Sequence, residues 1–120
     1  MQNPLVFRFL LLLLVTVLAS CTNIMLEPPA VTAETVWIDV RTVEEYQADH
    51  IDGDRNMPLQ ELSSNTLRSQ LSLPADADIR LYCVSGVRAG RAKLIFEEAG
   101  FTHVINAGGI SDAREARNLD

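Results

Sequence analysis

Between Ile79 and Gly100 the chain passes directly from a strand-like run into a helix-like one. Ile79, Leu81, Tyr82, Cys83 and Val84 form a short, nearly continuous apolar run, the signature of a strand buried on both faces. Ser85-Gly86 breaks it. Arg88 to Ala99 then reads as a helix, with Ala89, Ala92, Leu94, Ile95 and Phe96 on its buried side. Gly100 stands where a helix C-terminal glycine belongs. A strand that runs straight into a helix is half of a βαβ unit. Such a unit needs a parallel sheet to pack against.

The rest of the chain supplies the partners. Trp37-Ile38-Asp39-Val40 reads as a second buried strand. Thr42 caps a short helix through Tyr46, with Glu44 and Glu45 in its first turn. His50 to Pro58 reads as a loop, and Leu59 to Leu71 as one helix with Leu59, Leu62, Leu67 and Leu71 along a face. Pro74 to Asp78 is a turn. His103 to Asn106 makes a third strand, Gly108-Gly109 turns the chain, and Ile110 to Arg117 forms a last short helix. The alternation predicts an α/β fold, a small domain with a central parallel sheet flanked by helices. There is no internal repeat and no low-complexity tract.

Not all 120 residues belong to that domain. Residues 1–20 begin with Arg8 and no acid, continue as an apolar run from Phe9 to Leu18, and end in Ala19 and Ser20. A charged start, a short apolar centre and a small-residue end describe a secretory signal; the other reading is an uncleaved N-terminal anchor. Leu18-Ala19-Ser20-Cys21 resembles the lipobox of bacterial lipoproteins, which implies acylation of Cys21 and cleavage just before it. The alternative is ordinary cleavage near Ala19, with Cys21 left as a free thiol. Residues 21–34, with Glu27-Pro28-Pro29, read as a tether, and residues 35–120 as the domain. All sixteen acids and nine of the ten bases lie after Ser20, so the mature chain carries about −7. That charge argues against nucleic acid or an anionic lipid surface as a partner. A membrane enters only through a lipid on Cys21.

An acidic chain that gathers Arg88, Arg91 and Lys93 in one place directs attention to Cys83-Val84-Ser85-Gly86-Val87-Arg88. The segment lies between a strand and a helix. Ligands of open α/β sheets bind at the carboxyl ends of strands, and a loop entering a helix aims backbone N–H groups at an anion. Ser85-Gly86 suits a tight turn. Arg88 offers a permanent planar fork for an oxyanion. Both the helix N-terminus and the cation favour the thiolate of Cys83, which is the nucleophilic form. The other reading of Cys83 is a buried apolar residue that ends a strand. Cys21 and Cys83 together also admit a disulfide in an exported chain.

Cys-x-Ser-Gly-x-Arg resembles the active-site loop of rhodanese-family sulfurtransferases. The resemblance extends to Asp39-Val40-Arg41 with Glu44-Glu45-Tyr46, to His50-Ile51-Asp52-Gly53 with Asn56-Met57-Pro58, and to Gly100-Phe101-Thr102-His103-Val104 with Asn106-Ala107-Gly108-Gly109. Within the family the chain is similar to the phage-shock-protein-E type of small periplasmic rhodanese; its lipobox departs from that group. The resemblance implies a rhodanese-like domain and a thiosulfate sulfurtransferase. Cys83 and Arg88 would be catalytic, with Val84 to Arg88 binding the substrate and Asp39 and Arg41 supporting the loops through a salt bridge. It implies a small sulfur anion as donor, cyanide or a thiol as acceptor, and neither metal nor organic cofactor. The loop is the short form. The related phosphatase and arsenate-reductase branch carries one residue more, so the length implies sulfur chemistry. Ala89 stands where many relatives have Ser. His50 and His103 read as structural residues, and Arg91 either extends the positive mouth or is solvated. Two readings from other classes stand beside this one, a non-enzymatic rhodanese-like binding or redox-sensing module and a thiol-exchange protein.

Overall fold

The computed structural model describes residues 27–119. The segment expected to be a secretory signal, Cys21 and the first part of the expected tether lie outside the described residues. In chain order the elements are β1 (Val36–Asp39), α1 (Val43–Ala48), β2 (Arg55–Asn56), a 3-10 turn (Leu59–Glu61), α2 (Ser64–Leu71), β3 (Ile79–Cys83), α3 (Val87–Glu98), β4 (Val104–Gly109) and α4 (Ile110–Ala116). The four strands form one parallel sheet in the order β2-β1-β3-β4. This is the α/β architecture expected from the alternation of elements. Among the described residues no helix is long and apolar enough to cross a membrane.

All five residues of β3 are buried, as its unbroken apolar run requires. On one face, Ile38, Val40, Ile79, Leu81 and Cys83 pack against Leu67 and Leu71 of α2 and Ala89, Ala92 and Phe96 of α3. On the other, Trp37 and Tyr82 pack with Ile51 and with Ala113 of α4. Thr42 caps α1 by a reciprocal pair, its hydroxyl accepting from the Glu45 N–H at 3.2 Å and its own N–H donating to the Glu45 carboxylate at 3.2 Å. At the end of α3 the Gly100 N–H donates to the Glu97 carbonyl and the Phe101 N–H to the Phe96 carbonyl. The Phe96 and Phe101 rings meet at 5.8 Å. That is a Schellman ending with its apolar contact, and Gly100 supplies the positive φ it needs, +98°.

Four local expectations are corrected. Leu94 is 68% exposed rather than buried; it lies on the Val87–Arg91 line of α3, opposite Ala89, Ala92 and Phe96. The single helix expected over Leu59–Leu71 is split. The Leu59 N–H is drawn to the Val40 carbonyl and Ser63 adopts an extended backbone, and serines favour caps over helix interiors. The loop from His50 to Pro58 contains β2, a strand too short to show a period; Ile38 pairs with Arg55 and Asp39 with Asn56. Gly108-Gly109 does not end the strand but closes it, with Gly109 opposite Cys83 across a register irregularity.

The chain meets the sheet at its amino end. There the Pro29 carbonyl accepts from the Arg80 guanidinium, and the Thr35 hydroxyl donates to Asp78 at 2.7 Å.

Candidate active site

Cys83 ends a central strand, β3, at the carboxyl edge of the sheet, and only 1% of it is exposed. The chain then bends through Val84, Ser85 and Gly86 into α3. Gly86 adopts φ +94°, which lets its N–H turn back and donate to Cys83 Sγ at 3.0 Å. Burial alone pushes the thiol pKa up. The backbone amides of Ala89, Ser85, Gly86 and Arg88 outweigh it and hold the thiol below its ordinary value. Ala89 itself is fully buried, so it serves the site through its amide. The thiol therefore belongs both to the apolar core and to a cradle of N–H donors.

The closing strand shapes that cradle. The Asn106 amide donates to the Gly86 carbonyl at 2.9 Å, and its oxygen accepts from the Gly108 N–H at 2.9 Å. A Cβ on Gly86 would stand 3.2 Å from the Gly108 Cα, and a Cβ on Gly109 would overlap the Val84 carbonyl. Backbone packs on backbone here, which only glycine permits.

Arg88 projects from the first turn of α3, and its fork is taken by a carboxylate. Its Nη1 lies 2.5 Å from Glu45 Oε1 and its Nη2 2.9 Å from Oε2. The pair is partly exposed. The Arg88 guanidinium pulls the Glu45 carboxyl down to about 2 against its partial burial, helped by the Thr42 amide. Glu45 in turn raises Arg88 against its own desolvation, and the charge of Cys83 acts on Arg88 in the same direction. Arg88 is thus coupled electrostatically to both Glu45 and the Cys83 thiol.

Asp39 and Arg41 form a buried ion pair, Arg41 Nε at 3.0 Å from both carboxylate oxygens and Nη2 at 2.8 Å from Oδ2. Arg41 also donates to the Asp49 carbonyl at 2.6 Å. The Asn56 amide bridges the Asp39 and Arg41 carbonyls. This knot fixes the β1–α1 junction from which Glu45 reaches the loop. His50 is hydrogen-bonded to the Tyr46 carbonyl, stacked on the Tyr46 ring at 4.3 Å and paired with Asp52. The exposed His103 contacts the Thr102 hydroxyl. Arg91 is exposed on α3, while the loop side chains Val84 and Val87 are exposed beside Cys83.

The contacts that two residues make in this site, Glu45 to Arg88 and Asn106 to Gly86, escape local sequence reasoning. Glu45 already has a function as the N3 partner of Thr42, which hides its second one. Asn106 gives a single signal, a polar residue of low strand preference inside an apolar strand and next to two glycines.

A family model described as a rhodanese-like domain matches residues 25–116. The chain belongs to the rhodanese family. It is 44% identical over 77 residues to the thiosulfate sulfurtransferase PspE of Escherichia coli, a match covering 63% of this chain and 71% of that protein. It is 38% identical over 74 residues to protein YqhL of Bacillus subtilis; that match covers 60% of the chain and about half, 54%, of the relative. Among solved structures, a rhodanese with anions from E. coli superposes with a TM-score of 0.58 at 40% identity, over 65% of this chain and 89% of that one. The rhodanese fold expected from the four sequence segments is therefore the fold of this chain.

Proposed function

We propose that this rhodanese is a thiosulfate sulfurtransferase that carries sulfur as a persulfide on Cys83. The observation that carries the reading is the Gly86 N–H donating to Cys83 Sγ at 3.0 Å, in a loop whose other amides also lower the thiol pKa. A core cysteine needs no such donors; a thiolate and the persulfide anion derived from it do. The similarity to PspE, named a thiosulfate sulfurtransferase, supports the donor.

The reaction has two steps. The Cys83 thiolate attacks the outer sulfur of thiosulfate, a new S–S bond forms, and sulfite leaves with the electron pair of the bond that breaks. The persulfide then passes its outer sulfur to cyanide or to a thiolate, and the Cys83 thiolate returns. The amides of Val84 to Arg88 hold the persulfide and the leaving anion, preorganised donors that need no reorientation as charge moves. Arg88 contributes positive charge beside Cys83. Asp39 and Arg41 keep the neighbouring loops in place. The two steps balance without a metal or an organic cofactor.

The leader supports a place on the periplasmic side of a bacterial envelope, with Cys21 lipidated as the membrane attachment. Radiolabelled palmitate should then label the parent and not a Cys21→Ser variant.

Thiocyanate formation from thiosulfate and cyanide tests the enzyme. Turnover is expected in the parent and absent in Cys83→Ser. A folded, reduced parent that forms no thiocyanate would overturn the thiosulfate reading and favour a non-enzymatic binding module.

A further inference from the structure

We propose that Glu45 is a specificity-determining residue that weakens the site's hold on dianionic sulfur donors and so favours donors carrying a single negative charge. The inference rests on the sulfurtransferase reading and deepens it. Arg88 is the cation whose charge acts on Cys83, and its fork is held bidentately by Glu45, at 2.5 and 2.9 Å. A planar guanidinium paired in this way has spent the geometry with which it would grip an oxyanion. The carboxylate also places a negative charge where a sulfonate oxygen of the donor would seek the cation. A dianion meets twice the repulsion of a monoanion there. The backbone amides of the loop carry no net charge, so they serve either donor.

Thiosulfate and methanethiosulfonate separate the two cases. They share a terminal sulfur on a tetrahedral sulfur and differ in that a methyl group replaces one charged oxygen. In both, the Cys83 thiolate forms the new S–S bond and the donor's S–S bond breaks. Sulfite leaves from the first and methanesulfinate from the second, and the Cys83 persulfide is the common product. Glu45→Gln is the decisive variant. Glutamine keeps the N3 acceptor of the helix cap, so α1 retains its start, while the charge is lost.

The measurement is kcat/KM of the purified protein for each donor, with cyanide as the common acceptor. In the parent the monoanion is the better donor. In Glu45→Gln the KM for thiosulfate falls, and the preference shifts toward the dianion by about threefold or more, the scale of one unit charge at a few ångströms in a partly solvated site. Glu45→Asp retains the charge and keeps the parent's preference. A gain in affinity for one donor cannot arise from misfolding. Turnover of both donors with an unchanged ratio in Glu45→Gln overturns this inference alone. So does a thiosulfate KM that rises in Glu45→Gln instead of falling. Failure of the parent to release sulfite or sulfinate from either donor overturns the sulfurtransferase reading, and this inference with it.

Discussion

Gly109 carries a heavier constraint than any other glycine around Cys83, because the Val84 carbonyl occupies the space its Cβ would need. Gly109→Ala should therefore force β4 and the loop apart and cost about 2–3 kcal/mol, as overpacking does. Gly53 makes the control. Its φ is +86° but nothing lies within 4 Å of its Cβ position, so Gly53→Ala should cost only the backbone penalty, about 1 kcal/mol. Urea denaturation midpoints of the two variants would show the difference. At Cys83 the lowered pKa has a kinetic consequence. A depressed pKa keeps the thiolate populated down to a lower pH than in an unfolded chain. Alkylation of native Cys83 should titrate with a midpoint below that of free cysteine, and the midpoint should rise in a loop-disrupting Gly86→Ala, which leaves the burial in place and displaces the amide donors.

At the scale of elements, α1 is short, six residues, and is held by its cap and by the ion pair with α3. The sign of its pH dependence follows from Glu45, whose carboxyl is lowered to about 2 from an ordinary value of 4.5. A depressed carboxyl contributes stability that is present above its unfolded pKa and is lost as pH falls through the folded one. Glu45→Gln should be less stable than the parent near neutrality, and the gap should close between about pH 4.5 and pH 2, measured by urea denaturation at a series of pH values. The same element shows what a sequence discloses. The Thr42 cap, the buried run of β3 and the glycine end of α3 are local patterns and were legible. So was the strand–turn–helix around Cys83, because strand end, turn and helix start are contiguous. Asn106 and Glu45 were not, since they act on residues 20 and 43 positions away. A pairing that distant leaves no period to read. Strand β2 escaped for a related reason, as its two residues are defined by their neighbours in β1.

Across the molecule, one polar belt ties the C-terminus to the sheet. Arg117 lies 4.7 Å above the Trp37 ring and donates to Asp54 at 2.6 Å, and the buried Tyr82 hydroxyl donates to the same carboxylate at 2.7 Å. Burial, followed by that bond to Asp54, pushes the Tyr82 pKa up. Arg117→Ala would leave Asp54 with a single side-chain donor and should cost about 2 kcal/mol, read as a lower denaturation midpoint, while Cys83, packed on the opposite face of the sheet, keeps its alkylation rate. The two edges of the sheet, by contrast, differ in what they hold. Every strand runs the same way, the incoming chain is pinned at the amino edge by Arg80 and Asp78, and Cys83 stands three residues beyond the first and five beyond the second, roughly 10 to 16 Å along the strand. If Cys21 holds a lipid, the attachment reaches the sheet at the edge opposite Cys83. The point of attachment and the proposed point of sulfur transfer then lie at opposite edges of one rigid sheet, so a tether of any length leaves the Cys83 loop clear of the anchor.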